Sequence, residues 1–418
     1  MSHLCLENLS TEILIKIFSY LDLNDLMQLP YVCKRIRQIV LNWDNLLFKR
    51  FPTPLVTNQF SDEFLARCNR KLSSFEKVRI SRNWIEAKYT ESPLLFSKRK
   101  FLPYLQLSKK YLWISRGGVI FCYKRRYRNL HAANPHYVLS PPVQRSKADV
   151  VNFHVKNNLI VAGMRDGSLW MKDLQDRYSK IFMLKIYHQD DVHSVALNNS
   201  CSLLASGARG GDVIVSKVEP SVTPQNINKV LSWSYHDVIW KVGFSVENKL
   251  AIGTAGRHYY SYLYIRNVDR TDVEELVLSY QSVKEGIHDI IWDGPHKIWT
   301  CGYDSNIRMW DLRTGKFERC FFDPCATCLY CMDYDFHNTL IAGAQVHGRC
   351  TLWDIRKGAA AQMYFMDSSQ KKFNKSSPVY SLAFDAESLF AVTDQNLHVL
   401  DFSAYKAPSH DYSFFLKI

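Results

Sequence analysis

The sequence has little of what marks membrane-spanning, fibrous or disordered chains. It contains no apolar run of about 18 residues, so we expect no transmembrane helix and no membrane partner. Its 17 glycines and 14 prolines in 418 residues are too few for a collagenous or low-complexity chain. With 47% hydrophobic and 13% aromatic residues, the chain can bury enough apolar surface to fold. These values predict a globular protein of two or three domains.

The start of the chain also lacks the basic and apolar segments of a secretory signal peptide, so we expect a cytoplasmic or nuclear protein. Its 11 cysteines are an odd number and are expected as free thiols. Cys328 and Cys331 have the C-x2-C spacing of zinc ligands, and Cys320 and Cys325 lie nearby. Because Cys328 and Cys331 lie in a predicted strand, their side chains should point to opposite faces. We therefore expect no metal site and no cofactor.

Acidic residues are scarce only in the first third of the chain. Lysine and arginine total 53 against 40 aspartates and glutamates, a formal net charge of +13. Residues 51–130 hold 17 basic and 5 acidic residues, whereas residues 131–418 hold 30 of each. Such a concentration of positive charge predicts an acidic partner, such as nucleic acid, an anionic membrane or an acidic protein. A solvated basic surface without a partner is the alternative.

The first fifty residues predict consecutive short helices. Apolar residues recur at helical spacing from Ile13 to Leu21, and Ser10 and Thr11 are the candidate N-caps. A second apolar stripe runs from Leu26 to Ile36. A segment this short has too little interior to be stable alone. It should therefore either cap the following domain or dock on a partner.

The string Leu9-Ser10-Thr11-Glu12-Ile13-Leu14-Ile15-Lys16-Ile17-Phe18, with Asp25-Leu26 and Val32-Cys33-Lys34 after it, resembles an F-box. Ser10 departs from the family, which usually has proline there. The resemblance implies binding to the Skp adaptor of Skp–cullin–F-box ubiquitin ligases and, through it, to a cullin–RING ligase. The residues that it assigns to the adaptor contact are Leu9, Glu12, Ile13, Leu14, Ile17, Phe18, Leu21, Leu26, Leu29, Val32 and Cys33.

Residues 51–93 predict a basic helical linker between residues 1–50 and the rest of the chain. Apolar residues from Phe64 to Phe75 lie near helical spacing, and Ser61 is a candidate cap. The segment is not rich in glycine and serine, so we do not expect it to be flexible. Trp84 and Tyr89 are expected to anchor it to the domain that follows.

Residues 94–418 carry an internal repeat. Two clear copies contain Trp310-Asp311 and Trp353-Asp354, each after a glycine-containing turn and an apolar strand. A period of about 40–45 residues with Trp-Asp is typical of four-stranded propeller blades. Alignment of the weaker copies on the aspartate gives seven positions, which are Tyr123, Asp173, Lys217, Asn267, Asp311, Asp354 and Asp401.

The repeat resembles WD repeats, which implies a mainly β fold: a β-propeller of about seven blades behind an all-α F-box and a helical linker. The resemblance also implies that a strand from the start of this region closes the ring, and Leu102–Ser108 is the expected segment. With an F-box-like segment followed by WD-like repeats, the chain resembles the F-box/WD-repeat family. Segments such as Ser377-Pro378-Val379-Tyr380 and Asn396–Phe402 most resemble its dactylin-like subgroup.

This resemblance implies a non-catalytic substrate-recognition subunit of a ubiquitin ligase, with a protein substrate held by the propeller. The sequence has no G-x-x-x-x-G-K-[ST], H-E-x-x-H or G-x-S-x-G motif. His193, His288 and His398 lie in predicted strands and are expected as hydrogen-bonded structural residues.

On the family's pattern, the residue before each turn aspartate lies on one propeller face, which indicates Arg165, Arg209 and Tyr303 as substrate-binding residues. Two arginines there favour an acidic or phosphorylated motif, which guanidinium groups bind bidentately. The alternative is a non-enzymatic WD-repeat scaffold or nucleic-acid-binding protein with a vestigial F-box. That alternative depends on the basic excess and on the run Lys124-Arg125-Arg126-Tyr127-Arg128. We favour the ligase subunit over nucleic-acid binding.

Overall fold

A helical segment precedes the strands in the computed structural model, which describes residues 6–97, 99–126, 129–130, 134–141, 148–175, 179–218, 228–256, 263–270, 276–278, 286–366, 377–412 and 416. The α-helices are α1 (Thr11–Phe18), α2 (Leu23–Gln28), α3 (Lys34–Asn42), α4 (Asp44–Phe48), α5 (Asp62–Leu65) and α6 (Ser74–Ile85). Single 3-10 turns lie at Leu6–Asn8 and Leu29–Tyr31. No helix in these ranges is long and apolar enough to cross a membrane.

The helix starts follow from local capping. Ser10 is extended, and its side chain accepts a hydrogen bond from the Ile13 amide, which confirms it as the N-cap of α1. The Asp22 carboxylate caps α2 in the same way, at 2.8 Å from the Asp25 amide. Ser61 caps α5 as predicted. Between α5 and α6 the chain leaves the helical conformation, so the predicted linker helix is two helices.

The strands begin directly after α6. In chain order they are β1 (Thr90–Phe96), β2 (Leu105–Leu107), β3 (Tyr111–Arg116), β4 (Val119–Arg126), β5 (Asn129–Leu130), β6 (Tyr137–Leu139), β7 (Val150–Lys156), β8 (Leu159–Met164), β9 (Ser168–Asp173), β10 (Phe182–Tyr187), β11 (Val192–Leu197), β12 (Leu203–Ala208), β13 (Asp212–Lys217) and β14 (Asn228–Ser234).

The remaining strands are β15 (Ile239–Phe244), β16 (Lys249–Thr254), β17 (Leu263–Asn267), β18 (Leu276–Leu278), β19 (Ile287–Asp293), β20 (Lys297–Gly302), β21 (Asn306–Asp311), β22 (Lys316–Phe322), β23 (Leu329–Tyr334), β24 (Thr339–Ala344), β25 (Arg349–Asp354), β26 (Ala360–Phe365), β27 (Ser381–Phe384), β28 (Ser388–Val392) and β29 (Asn396–Asp401).

These strands form seven antiparallel sheets, so the predicted seven-bladed propeller is confirmed. Blade 1 holds β2 to β6, and blades 2 to 6 each hold the next four strands. Blade 7 combines β27, β28 and β29 with β1, which pairs with β29 from Thr90 opposite Asp401 to Phe96 opposite Asn396. The expected closing segment Leu102–Ser108 is therefore wrong, because β2 lies in blade 1 and β1 closes the ring.

The aspartate alignment of the repeats is confirmed by the strand ends. Asp173, Asp311, Asp354 and Asp401 are each the last residue of the third strand of a blade, and the degenerate positions Lys217 and Asn267 match them. Tyr123 lies inside β4. The third strands carry this shared position because each pairs antiparallel with the second strand of its blade.

Helix α6 packs into two cores at once. Phe75 and Val78 near its start join the core of α1 to α4, where Leu14, Phe18 and Leu26 are buried. Ile80 and Trp84 near its end join the core of blades 6 and 7. The Trp84 indole stacks on the Phe402 ring at a centroid distance of 3.6 Å, and Tyr89 is fully buried in the same cluster. The predicted anchoring by Trp84 and Tyr89 is confirmed.

Two arginines of the linker pair with acidic residues of the propeller, and a third donates to a propeller carbonyl. Arg67 binds both carboxylate oxygens of Asp333 at 2.6 Å, and Arg70 binds Glu387 at 2.8 Å. Asp333 lies in the first strand of blade 6, and Glu387 lies in the turn after the first strand of blade 7. Arg79 is buried and donates to the Ser403 carbonyl at 2.9 Å.

This pairing accounts for part of the charge excess. The acidic partner of Arg67 and Arg70 is the propeller of the same chain, and an acidic partner for the rest of the excess stays a prediction. Buried and half-buried pairs of this kind fix an orientation even when their net contribution to stability is small.

We predict that Trp84→Ala lowers the free energy of unfolding by about 4 kcal/mol, since it removes a fully buried indole from the core that joins the helices to the blades. Trp43→Ala is the matched control, because the Trp43 side chain is 47% exposed, and it should cost less than about 1 kcal/mol. Urea denaturation followed by circular dichroism measures both. Equal losses in the two variants would contradict the shared core.

Candidate functional site

The first candidate surface lies on the helical segment, where large apolar side chains face solvent. Ile13 is 50% exposed and Ile17 is 37% exposed, both on the outer side of α1. Tyr20, Tyr31 and Val32 are more exposed still. Apolar groups left in water in this number are typical of a surface that a partner covers.

The structure divides the residues assigned to the adaptor contact into three groups. Glu12, Ile13, Ile17 and Val32 are exposed and accessible to a partner. Leu9, Leu21, Leu29 and Cys33 are half-buried. Leu14, Phe18 and Leu26 are buried in the core of the helices, where they support the surface from beneath. The alternation follows from helix periodicity, because one side of α1 packs on the other helices and only the opposite side faces solvent.

The second candidate surface is a cavity of about 480 Å³ at the centre of the propeller. Each blade contributes one residue from the entrance of its first strand, and we call the cavity that they line the cup. These residues are Tyr104, Val151, His193, Trp240, His288, Tyr330 and Tyr380.

The walls of the cup are a continuous chain of ring contacts. Ring centroids lie 4.5 Å apart for His193 and Trp240, and 4.9 Å apart for Trp240 and His288. The chain continues from His288 to Tyr330 at 4.7 Å and from Tyr330 to Tyr380 at 6.2 Å. Five adjacent blades therefore present aromatic surface to one space.

All three residues predicted to bind substrate line the cup. Arg165, Arg209 and Tyr303 each follow the second strand of their blade, and the Tyr303 ring contacts the His288 ring at 4.2 Å. Arg165 and Arg209 are exposed. Within the described ranges, neither guanidinium forms an ion pair or a side-chain hydrogen bond. The structure thus brings the three residues together, and their binding of substrate stays a prediction.

The floor of the cup holds a charge pair that is already satisfied. Lys241 Nζ lies 2.9 Å from an Asp289 carboxylate oxygen, and the other oxygen of Asp289 accepts the Met332 amide at 3.0 Å. Burial alone would lower the pKa of Lys241, but Asp289 and the Tyr104 hydroxyl raise it above its usual value, so the ammonium stays charged. The floor therefore offers no unpaired charge to a ligand.

The two histidines of the wall are neutral at physiological pH. Burial lowers the pKa of His193 to about 4 against the opposing carboxylate of Asp191, while Arg209 and Arg165 lower it further. Burial lowers the pKa of His288 to about 4 as well, with His193 adding to the shift. Among the described residues, the buried Nε2 atoms of both rings have no hydrogen-bond partner, so the expected hydrogen bonds are not found at Nε2. His398 Nδ1 lies 3.0 Å from Glu91.

The basic run near residue 125 is not a continuous exposed surface. Arg125 is buried, forms an ion pair with Asp385, and donates to the Arg67 carbonyl at 2.7 Å. Lys124 is exposed, and residues 127–128 lie outside the described residues. The central member of the run is thus part of the contact between linker and propeller.

No group of three or more histidine, cysteine, aspartate or glutamate side chains is arranged to hold a metal ion in the described part of the chain. The ten cysteines in that part are free thiols. Cys331 lies in the wall of the cup, where burial raises the pKa of its thiol well above the usual value.

The aromatic wall was missed by motif reasoning. Each blade contributes one member, at the entrance of its first strand. The repeat alignment uses a different position, the aspartate at the end of the third strand, and so does not bring these members out. An alignment on the first strands would have placed Trp240, His288, Tyr330 and Tyr380 in register, and a shared aromatic character at one repeat position is the signal that could have found them.

Comparisons with known proteins agree with both halves of the chain. The F-box-like family model matches residues 7–51. The chain is 27% identical to the F-box/WD repeat-containing protein 4 of Homo sapiens over 402 residues, covering 94% of this chain and 92% of the relative. It is 26% identical to the Mus musculus protein of the same name, with the same coverage.

Among solved structures, the crystal structure of the computationally designed Ika8 protein matches with a TM-score of 0.54 at 14% identity. The match covers 74% of this chain and 98% of the designed protein. At this identity the likeness concerns the fold alone.

We predict that the rings of His193 and His288 stay neutral down to about pH 4. The unfolded chain binds these protons near pH 6.5, whereas the folded protein does not bind them until about pH 4. The free energy of unfolding should therefore fall as the pH is lowered from 6.5 to 4. Histidine-selective NMR titration, with resonances assigned through His193→Gln and His288→Gln, measures the pKa values. A pKa near 6.5 for either ring would contradict the burial of the wall.

Proposed function

Because the chain belongs to the F-box/WD-repeat proteins, we propose that it is the substrate-recognition subunit of a Skp–cullin–F-box ubiquitin ligase. In this proposal the exposed face of α1 binds the Skp adaptor, and the propeller binds the protein to be ubiquitinated. The observation that supports it best is the pair of unpartnered surfaces: exposed isoleucines on the helices, and an aromatic cup with free arginines on the propeller.

The linker contact and the cup lie on opposite faces of the propeller. The linker contacts the ends of the first strands and the turns after them, at Asp333 and Asp335 in blade 6 and Glu387 in blade 7. Arg165, Arg209 and Tyr303 instead follow second strands. In an antiparallel blade these turns lie at opposite ends, so a bound substrate would face away from the linker.

The proposal assigns no chemistry to this chain. Ubiquitin transfer would belong to the conjugating enzyme that the cullin complex recruits, and this subunit would hold the substrate near it. Holding two reactants together raises their effective concentration, which is the contribution expected of an adapter. Such a complex would act in the cytoplasm or the nucleus.

The substrate in this proposal carries acidic or phosphorylated residues. Arg165 and Arg209 reach the mouth of the cup from neighbouring blades and have no acidic partner within the described residues. Guanidinium groups in this state bind carboxylates or phosphates bidentately. The nucleic-acid alternative has less support, since Arg67, Arg70 and Arg125 are paired with the propeller.

We predict that Ile17→Lys abolishes co-purification with the Skp adaptor while the propeller stays folded. The substitution would place an unpaired ammonium in an apolar contact, which costs about 3 kcal/mol or more, a loss of over about a hundredfold in affinity. Ile85→Lys is the matched control, because Ile85 is 46% exposed and lies on α6, outside the predicted contact. This variant should bind the Skp adaptor as well as the unchanged chain does.

Unchanged adaptor binding by Ile17→Lys would contradict the docking surface. The same variant then serves to identify substrates, since a subunit that cannot join the ligase should retain its substrates without degrading them. Affinity capture with Ile17→Lys and with the unchanged chain should enrich the same proteins, and more strongly with the variant.

A further inference from the structure

The cup has an enclosed volume, aromatic walls and a paired floor, and binding of acidic groups by Arg165 and Arg209 does not require any of these three features. Its volume of about 480 Å³ lies in the range of pockets that enclose a ligand group. Its walls present the rings of Trp240, Tyr303 and Tyr330, and its floor pair Lys241–Asp289 is neutral and satisfied. A group that fills this space therefore gains apolar and ring contacts and meets no unpaired charge.

Aromatic walls also suit a cationic ligand, but the charges of this cup disfavour one. Lys241 lies at the floor, and Arg165 and Arg209 lie at the mouth, whereas the lining acids are Asp191 and Asp289. Since Asp289 is paired with Lys241, a cation would meet two free guanidinium groups and one carboxylate. The neutral state of His193 and His288 leaves ring faces and edges as the dominant surface of the wall.

We propose that the cup is a specificity pocket for one aromatic side chain of the substrate, carried in a segment whose neighbouring residues are acidic. The ring fills the cavity and packs against the lining rings of Trp240, Tyr303 and Tyr330, and the flanking carboxylates lie at the mouth against Arg165 and Arg209. Aromatic side chains bury large area and gain from edge and offset ring contacts, so they fit this wall better than aliphatic ones. This inference rests on the proposed role as a substrate receptor and adds what the receptor selects.

The test is selection from a synthetic peptide library by the purified full chain. The peptides carry glutamate and serine at the flanking positions and each amino acid in turn at the centre. We expect phenylalanine, tyrosine and tryptophan at the centre to be enriched at least about tenfold over alanine. Tyr303→Ala and Trp240→Ala should remove this preference, whereas Phe322→Ala, an exposed aromatic of the outer strand β22, should keep it.

Charge reversal tests the mouth separately from the wall. Arg165→Glu with Arg209→Glu should weaken all acidic peptides at least about tenfold and leave the order of the central residues unchanged. Arg270→Glu, an exposed arginine that follows β17 on the opposite face, is the control and should change neither.

The proposal is overturned if no acidic peptide binds, if alanine or lysine at the centre binds as well as an aromatic residue, or if the Tyr303 variant keeps the preference. Even if a variant fails to fold, the preference that the unchanged chain shows for the central residue still tests the proposal. Co-purification of the Skp adaptor, measured on the same preparation, separates the two proposals. Adaptor binding without peptide selection overturns only the cup, and peptide selection without adaptor binding overturns only the ligase role.

Discussion

The packing of α6 against two cores is the constraint on which the rest of the structure depends. Its first turns complete the apolar interior of the helical segment through Phe75 and Val78, and its last turn buries Trp84 among blades 6 and 7. The helical segment is too small to be stable by itself, so it shares the stability of the propeller. A capping box at Ser73 and Glu76 fixes where this helix begins, and the Asp44 carboxylate accepts the Phe75 amide at 3.2 Å.

The ion pairs around α6 turn this packing into a defined orientation. Arg67 and Arg70 of the linker bind Asp333 in blade 6 and Glu387 in blade 7, which fixes how the linker lies on the propeller. The helical segment and the propeller thereby form one continuous body, with the linker contact on the face opposite the cup. In the proposed ligase role this rigidity would matter, because the distance between adaptor and substrate sets the effective concentration of the substrate at the transferring enzyme.

The parts that sequence predicted are those governed by local rules. The helices of the first fifty residues follow from apolar periodicity and from caps such as Ser10, and the blades follow from a repeat centred on Trp-Asp. The closing strand was placed wrongly because β1 contains Pro93, carries an irregularity beside it, and pairs with a strand about 300 residues later. Proline is tolerated there since β1 is the outer edge of its blade. Two features depend on ring closure and have no local signature: the pairing of linker arginines with Asp333 and Glu387, and the meeting of seven strand entrances in the cup.

The central claim is that linker and propeller form a single structural unit. Amide hydrogen exchange of the full chain tests it most directly, by comparing α6 with β27, β28 and β29. The interior amides of α6 should exchange only through the same opening that exposes blade 7, with matching protection. Glu387→Ala, which removes the blade 7 partner of Arg70, should lower the protection of both together. Fast exchange of α6 while the strands of blade 7 stay protected would show that the linker detaches from an intact propeller, and would contradict the account.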